Sequence, residues 1–286
     1  MGVGQLAMRV LVTGAAGALG HDLAIAFADQ EVVAFDHATL DVTDRDRVLQ
    51  VLGAVRPAVV VNAAAWTDVD GCEGDPDRAF AVNALAVRHI AEAAGHVGAW
   101  MCQLSTDYVF DGRSPAPYVE WDDPNPLSVY GRSKLGGEHE IGERATIVRS
   151  SWLAGVTGRS FVRTMLAAAM RGRPLRVVDD EVGSPTFTPD LAAMIRRLVT
   201  ERRPGLHHVT NQGTTSRYAL AVESLRLAGF DAGIVEPITA SELDPPRPAT
   251  RPKQSVLDNA ALRLAGMPLL ADYHEPLERL VKELAS

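Results

Sequence analysis

The sequence predicts an α/β protein built on a doubly wound parallel sheet, followed by a smaller C-terminal lobe. Short apolar runs alternate with helical patterns through the first 150 residues, as in parallel sheets with helices on both faces. A glycine-rich turn separates the first apolar run from the first helical stripe. The alternation loosens beyond residue 150, where proline-rich turns occur at 185–189 and 245–252.

Strands and helices of the first part are predicted in strict alternation. Strands are predicted at five short apolar runs, over 10–12, 31–35, 58–61, 100–104 and 146–149. Helices are predicted from the four-residue repeat of Leu19, Leu23 and Phe27, over 44–55 and 77–95, and around Tyr130. Ligands of such sheets bind beyond the carboxyl ends of the strands, so side chains that follow the strands are candidates for a site.

The change of pattern near residue 150 predicts two domains. We assign 1–150 to a dinucleotide-binding domain of the Rossmann type and 151–286 mainly to a substrate-binding lobe. Part of 172–205 is expected to pack on the first domain. Residues 1–7 precede the first strand and are expected to form a leader.

Three glycines, Gly14, Gly17 and Gly20, follow the first strand at three-residue spacing. Glycine lets the backbone approach a pyrophosphate, and the N-terminus of the following helix offers free N–H groups to it. The turn therefore predicts a dinucleotide site, although glycine-rich turns also occur as plain structure.

A tyrosine and a lysine, Tyr130 and Lys134, stand four residues apart, on one face of the predicted helix. The chain has 5 Tyr and only three Lys, so a chance pair at this spacing is uncommon. A neighbouring ammonium lowers the pKa of a phenol, and such a phenol can exchange a proton with a substrate oxygen beside a nicotinamide. The alternative is an exposed tyrosine next to a surface lysine.

Composition excludes several classes of protein. A formal charge of −8 argues against a general nucleic-acid-binding protein, and no stretch is long and apolar enough to span a bilayer. Two cysteines, Cys72 and Cys102, are too few for a disulfide framework and favour a cytoplasmic location. Histidine and acidic residues show no metal-ligand spacing, so no metal site is predicted.

Several segments together carry a resemblance to a known family. They are TGAAGALG (13–20), VNAAA (61–65), STDYVFDG (105–112), YGRSKLGGE (130–138), RSSW (149–152), GSPT (183–186) and RPKQS (251–255). On these residues the chain resembles an extended short-chain dehydrogenase/reductase, and within that group the dTDP-4-dehydrorhamnose reductase family, over roughly residues 8–280. The resemblance implies a C-terminal sugar-nucleotide lobe and hydride transfer from NADPH or NADH to the C4 keto group of a dTDP-linked 4-keto-6-deoxy sugar.

The resemblance also implies roles for individual residues. Tyr130 is expected to be the general acid, with Lys134 lowering its pKa and holding the nicotinamide ribose, and Thr106 polarising the carbonyl. Asp107, Trp152 and Arg251 are expected to contact the substrate, the arginine at the diphosphate. Cofactor contacts are expected from Gly14, Gly17, Ala18, Leu19, Gly20, Asp36, Asp41, Val42, Ala63, Ala64, Ala65, Thr67, Tyr130 and Lys134. Asn83 matches a position that supports a proton-relay water, or is a helix-packing amide.

The cofactor preference stays open at this point. Asp36 ends the second strand, where a carboxylate accepts hydrogen bonds from a ribose 2′-OH and repels a 2′-phosphate. His37, rather than an arginine, follows it, which favours NADH, whereas the resemblance permits NADPH. The pair Asp41–Val42 is expected along the adenine, with a loop-capping aspartate as the alternative.

Some positions depart from the family pattern and leave alternatives open. Leu153, Ala154, Ser160 and Glu181 differ from the residues usual in the family, and they are expected in or near the sugar lobe. Tyr108 stands where the related dehydratases need a glutamate, so dehydration is not expected. The alternatives are a reductase of a related deoxysugar in secondary metabolism, or a non-catalytic NADP-binding regulatory subunit. A monomer and a homodimer are both compatible with the sequence.

Overall fold

The computed structural model describes residues 7–142 and 144–285, so the predicted leader lies outside the described residues except for Ala7. Its strands are β1 (Arg9–Thr13), β2 (Glu31–Phe35), β3 (Val59–Asn62), β4 (Trp100–Thr106), β5 (Ala145–Ser150), β6 (Leu153–Ala154), β7 (Leu175–Val178), β8 (Val182–Gly183), β9 (Thr186–Phe187), β10 (Gly205–His208), β11 (Thr215–Ser216) and β12 (Val235–Ile238). Its helices are α1 (Ala18–Ala26), α2 (Arg45–Val55), α3 (Val69–Gly74), α4 (Pro76–Phe80), α5 (Ala86–Val97), α6 (Val129–His139), α7 (Phe161–Met170), α8 (Thr188–Thr200), α9 (Arg217–Leu227), α10 (Ala260–Leu264) and α11 (His274–Ala285).

Six parallel strands form the central sheet, in the order β10-β5-β4-β3-β1-β2. The chain order reverses between β1 and β3, which is where doubly wound sheets open a crevice for ligands. Helices α1 and α8 pack together on one face, and α2 and α5 pack together on the other. The predicted doubly wound α/β fold is confirmed.

Alternation along β1 explains why this strand is apolar throughout. Val10 and Val12 are buried in the cluster that contains residues of α1 and α8, whereas Leu11 is buried in the opposite cluster with α2 and α5. Successive side chains of a strand point to opposite faces, so a strand covered on both faces needs apolar residues at every position. The short apolar runs in the sequence therefore indicate strands that are covered on both faces.

The helix predicted over 77–95 is interrupted in the structure. Helices α4 and α5 are joined by a π-helical turn over Ala81–Leu85, which contains Asn83. Such turns insert one extra residue and occur frequently at functional sites. The hydrophobic pattern is continuous through the turn, so periodicity alone did not reveal it.

The C-terminal half contributes to two separate cores. Helix α8 packs on α1 and strand β10 pairs with β5, so both add to the central sheet. Helices α7, α9 and α11 and the strand pair β7–β12 instead surround a second apolar cluster centred on Leu225 and Leu277. Within the described residues, no helix has the length and apolarity needed to cross a membrane.

Candidate active site

The glycine turn between β1 and α1 is a tightly closed cradle. Gly14 has φ +72°, and a Cβ atom there would lie 2.6 Å from the carbonyl carbon of Ala63. A Cβ at Gly20 would lie 2.3 Å from the carbonyl oxygen of Gly14, so α1 approaches the turn as closely as backbone allows. Gly17 caps α1, whose first N–H groups have no partner within the helix. This geometry fits the pyrophosphate of a dinucleotide.

The predicted cofactor segment after β3 lies beside this turn. Gly14 contacts the backbone of both Ala63 and Ala64, because β1 and β3 are neighbours and their carboxyl ends coincide. Thr67 is exposed further along the same segment. The structure therefore brings the first and third strand ends into one site, as the sheet pattern predicted.

The aspartates that follow β2 accept hydrogen bonds from residues of their own loop. One carboxylate oxygen of Asp36 accepts hydrogen bonds from the Thr39 hydroxyl at 2.7 Å and from the Thr39 and Ala38 amides. These bonds, that of the Thr39 side chain above all, hold the pKa of Asp36 below its usual value. Asp41 caps its loop through Thr43, which is the alternative considered for it. The Val42 side chain is buried in the core, which leaves only its backbone for an adenine contact.

Tyr130 and Lys134 share one buried face of α6, which begins after the capping hydroxyl of Ser128. The Lys134 ammonium donates a 2.6 Å hydrogen bond to the Leu104 carbonyl on β4. Burial raises the pKa of Tyr130 above its ordinary value, and a hydrogen bond with Thr106 opposes the rise. Lys134 is not among the causes of this pKa shift, so the expected lowering of the Tyr130 pKa by Lys134 is not found in the protein without ligands.

Thr106 and Asp107 complete this centre at the end of β4. The Thr106 hydroxyl donates to the Asp107 carboxylate at 3.0 Å and accepts from the Tyr108 amide at 3.2 Å. The other Asp107 oxygen accepts a 2.5 Å hydrogen bond from Ser255, a residue of the C-terminal part that sequence reasoning assigned no role. Burial raises the pKa of Asp107 to about 6.

Asn83 is held by polar contacts on both ends of its amide. Its oxygen accepts from the Trp66 amide at 2.8 Å, and its nitrogen donates to the Trp66 carbonyl and to the Ser133 hydroxyl. Ser133 lies on α6, so Asn83 joins the π-helical turn to the helix that carries Tyr130 and Lys134. Of the two readings of the sequence, these contacts favour the packing amide.

A cleft of about 550 Å³ opens beside this centre. The cleft is lined by Trp152 and Arg251, both predicted to contact substrate. It is also lined by Leu153, Ser160 and Glu181, which differ from the residues usual in the family. Four further arginines line the cleft and were not singled out in the sequence: Arg159, Arg176, Arg217 and Arg247. They come from separate loops and elements, so no local sequence pattern could have revealed them.

Trp152 forms one wall of the cleft in a constrained position. Its φ is +49°, and its ring lies against Gly183, where a Cβ atom would come within 2.6 Å of the indole. The Arg217 guanidinium stacks on the indole, 3.5 Å from the ring centroid, and also hydrogen-bonds to Tyr108. Such cation–π stacking fixes the guanidinium plane while leaving its edge free to donate hydrogen bonds.

Arg251 is tied to the cofactor side of the cleft. Its guanidinium makes a bidentate ion pair with Asp70 on α3, at 2.5 and 2.6 Å. The hydrogen bond from Arg251 is the main cause that lowers the pKa of Asp70. Arg251, which is predicted to bind the diphosphate, therefore lines the cleft and is also bonded to the first half of the chain.

Tyr108 connects the cleft to the acid–base centre. It lines the cleft, and its ring meets the Tyr130 ring edge to face at 5.9 Å between centroids. A group bound among the arginines would therefore extend toward the Tyr130 phenol. The arrangement suits a reaction at a carbonyl that is attached to an anionic carrier.

A Rossmann-type sheet whose tyrosine–lysine helix is buried beside Thr106 places the chain among the extended short-chain dehydrogenase/reductases. Comparison with known proteins narrows the class. The family model "RmlD substrate binding domain" matches residues 8–286. A dTDP-4-dehydrorhamnose reductase of Streptomyces griseus is 42% identical over 94% of this chain and 91% of its own length. The chain belongs to the dTDP-4-dehydrorhamnose reductase family, which confirms the recognition made from its motifs.

Two further relatives bear on the chemistry. A probable dTDP-4,6-dihydroxy-2-methyloxan-3-one 4-ketoreductase of Streptomyces antibioticus is 42% identical, over 97% of this chain and 96% of its own. The crystal structure of a dTDP-4-dehydrorhamnose reductase from Bacillus anthracis in complex with NADP superposes with a TM-score of 0.93. It is 36% identical, and the match covers 97% of this chain and 100% of that chain.

Proposed function

We propose that this protein reduces the C4 keto group of dTDP-4-dehydro-L-rhamnose with NADPH or NADH, giving dTDP-L-rhamnose. The observation that carries the proposal is the position of Tyr130 and Thr106 beside a cleft lined by five arginines, with Tyr108 between them. A nucleotide sugar carries a diphosphate, and guanidinium groups suit its paired oxygens.

The chain's own residues support a nicotinamide cofactor, which would supply the hydride when bound. We assign the pyrophosphate to the turn formed by Gly14, Gly17, Ala18, Leu19 and Gly20, which is so tight that a Cβ atom at either outer glycine would collide with neighbouring backbone. The ionised Asp36 favours a free 2′-OH over a 2′-phosphate, which supports NADH. The NADP in the Bacillus anthracis relative supports NADPH for the family.

The proton for the new hydroxyl is assigned to Tyr130. The hydride adds to C4, and the phenol proton passes to the C4 oxygen, so the carbonyl becomes an alcohol. Burial, which raises the pKa of Tyr130, keeps the phenol protonated until the oxygen gains negative charge. The Thr106 hydroxyl must turn from Asp107 toward the substrate oxygen to polarise the carbonyl.

The cleft residues are assigned to the substrate. Arg251 and Arg217 bind the diphosphate, and Trp152 packs against the sugar ring. We therefore propose a cofactor-binding part over 1–150, completed by α8 and β10, and a sugar-nucleotide lobe formed by most of 151–286. A cytoplasmic location is proposed from the two free cysteines, and the protein acts as a monomer or homodimer.

A second candidate is reduction of a related dTDP-4-keto-deoxysugar. Leu153, Ser160 and Glu181 line the cleft at positions where this chain departs from the usual family residues. The Streptomyces antibioticus relative, named for a different keto sugar, is as similar to this chain as the Streptomyces griseus reductase. Sequence similarity alone therefore does not select the sugar.

The deciding experiment is an assay with dTDP-4-keto-L-rhamnose and each of the two cofactors. We expect oxidation of NADH or NADPH and formation of dTDP-L-rhamnose by NMR. A C4 epimer as product, or turnover only with a dideoxy sugar, would replace the rhamnose assignment by the second candidate. Cofactor binding without turnover of any keto sugar would indicate the regulatory subunit instead.

A further inference from the structure

Ser255 is a buried residue of the C-terminal part whose hydroxyl reaches the acid–base centre, and the proposed chemistry gives it no role. It is 1% exposed, and it donates a 2.5 Å hydrogen bond to Oδ2 of Asp107. The other carboxylate oxygen, Oδ1, accepts from the Thr106 hydroxyl at 3.0 Å. Asp107 is itself 2% exposed, so its carboxylate depends on these two hydroxyls more than on bulk water.

Backbone contacts fix the segment that carries Ser255. Val182 on β8 donates to the Lys253 carbonyl at 2.7 Å and accepts from the Ser255 amide at 2.9 Å, which makes a short parallel bridge. The same segment lies against Gly112, where a Cβ atom would come within 2.7 Å of the Lys253 nitrogen. The Ser255 hydroxyl therefore approaches Asp107 from backbone that is held by contacts of its own.

Thr106 stands between Asp107 and the proposed general acid. Its hydroxyl accepts from the Tyr108 amide at 3.2 Å and is hydrogen-bonded with Tyr130. A hydroxyl has a single proton, so a proton that is donated to Asp107 cannot polarise a substrate carbonyl at the same time. In the proposed reaction the Thr106 hydroxyl has to turn away from Asp107. The strength of the Thr106–Asp107 hydrogen bond therefore decides how readily this turn occurs.

The two hydroxyls that donate to Asp107 affect each other through the carboxylate they share. With Ser255 in place, the carboxylate keeps one hydroxyl donor when Thr106 turns away. Without the Ser255 hydroxyl, the same turn would leave a buried carboxylate with neither donor. A buried polar group that loses its hydrogen bonds is costly, so Thr106 would then stay bonded to Asp107.

We propose that Ser255 is a positioning residue: its hydroxyl holds the Asp107 carboxylate, so that the Thr106 hydroxyl is free to turn toward the substrate carbonyl. The inference rests on the proposed function for what Thr106 does after that turn. The hydrogen bonds of Asp107 themselves exist in the protein without cofactor or substrate.

Ser255→Ala tests the inference through a split between the kinetic constants. We expect kcat to fall at least about tenfold, the usual effect of one hydrogen bond to a charged group. The KM for the sugar nucleotide and the Kd for NAD(P)H should stay nearly unchanged. Ser224→Ala is the matched control and should leave kcat unaffected, because it removes another buried serine hydroxyl, which donates to the Leu220 carbonyl within α9. A raised KM with an unchanged kcat in Ser255→Ala would overturn the inference.

A double-mutant cycle with Thr106 separates positioning from general damage to the site. Thr106→Val removes the hydroxyl that Ser255 is proposed to release, while it keeps the shape of the side chain. In that background Ser255→Ala should cause little further loss of kcat, because the positioned group is absent. A further loss as large as that in the unmodified background would show that Ser255 acts independently of Thr106, which contradicts the inference.

A crystal structure of Ser255→Ala without ligands gives a readout that needs no substrate. The Thr106–Asp107 hydrogen bond should become shorter than 3.0 Å, as the carboxylate turns toward Thr106. An Asp107 carboxylate with unchanged orientation and an unchanged bond to Thr106 would overturn the inference. A shortened bond in a protein that reduces no keto sugar would instead count against the proposed function alone.

Discussion

Desolvation sets the protonation states of individual residues at this site. Burial raises the pKa of Tyr130, raises that of Asp107 to about 6 and lowers that of Lys134 to about 8. Each shift favours the neutral form, because an interior solvates charge poorly. Tyr130 consequently holds its proton at neutral pH, which suits an acid that must donate to an alkoxide.

Replacing Tyr130 by phenylalanine tests that assignment. Turnover should fall by at least about 100-fold, the usual contribution of a placed general acid, while the cofactor Kd stays nearly unchanged. Tyr273→Phe is the control, since it removes the hydroxyl of another buried tyrosine, bonded to Glu223 in the C-terminal part. Near-normal turnover of Tyr130→Phe would exclude the phenol from proton transfer.

Asp107→Asn should stabilise the protein in a pH-dependent manner. A raised carboxyl pKa means that ionisation destabilises the folded state, progressively from about pH 4 and fully above about pH 6. The variant should therefore gain up to about 3 kcal/mol in free energy of unfolding at pH 7.5. Denaturant unfolding at pH 7.5 and pH 4 measures this gain. A variant that is less stable at both pH values would show that the hydrogen bonds of Asp107 outweigh its desolvation.

At the scale of elements, the β1–α1 unit combines an apolar strand with a turn that tolerates no side chain at Gly14 or Gly20. The strand is buried on both faces, and the first turn of the helix brings the backbone of Gly20 against that of Gly14. If the turn binds the cofactor as proposed, packing and cofactor binding depend on the same few atoms. Glycine is needed at these positions because neighbouring backbone leaves no room for a Cβ atom. A glycine in an exposed helix meets no such restriction.

Two helical glycines make this difference measurable. Gly20→Ala should lower Tm and weaken NAD(P)H binding, because its Cβ would lie 2.3 Å from a backbone oxygen. The Cβ of Gly95→Ala in α5 would meet no atom of the described residues within 4 Å, and the substitution should raise stability by about 0.5–1 kcal/mol through helix propensity. Thermal unfolding and cofactor titration of both variants test the pair. Equal effects of the two substitutions would refute the steric explanation.

At the scale of the whole molecule, the cleft lies where the C-terminal part meets the cofactor-side elements. Arg251 pairs with Asp70, and Ser255 donates to Asp107, so one C-terminal segment is bonded both to α3 and to the end of β4. Substrate bound in the cleft would contact both parts of the chain. Its affinity should therefore depend on charges that come from distant positions in the sequence.

Arg251→Met should raise the KM for the sugar nucleotide about tenfold or more while leaving the cofactor Kd unchanged. Lys253→Met is the matched control: it removes the same charge two residues away, from an exposed side chain outside the cleft lining. The two KM values, measured at several salt concentrations, make the comparison. A similar rise in both variants would indicate a general loss of positive field instead of a diphosphate contact.

Local patterns allowed much of this architecture to be predicted. The predicted boundaries of β2 match those observed, and α2 begins directly after its predicted first residue, Asp44, which caps it. The π-helical turn was missed, because the hydrophobic repeat continues through it. Within the site, Tyr130, Lys134 and Thr106 were predicted and lie together, whereas Arg217, Arg247 and Ser255 were not.

The sequence by itself determined the sheet, the glycine cradle and the tyrosine–lysine face, because each depends on residues a few positions apart. Only the tertiary structure decided the pKa directions and the arginine lining of the cleft. Those properties arise from burial and from contacts across more than 100 residues, as between Asp107 and Ser255. Desolvation and charge act through space. Spacing along the chain could therefore predict a tyrosine beside a lysine, but not whether the pKa of that tyrosine is raised or lowered.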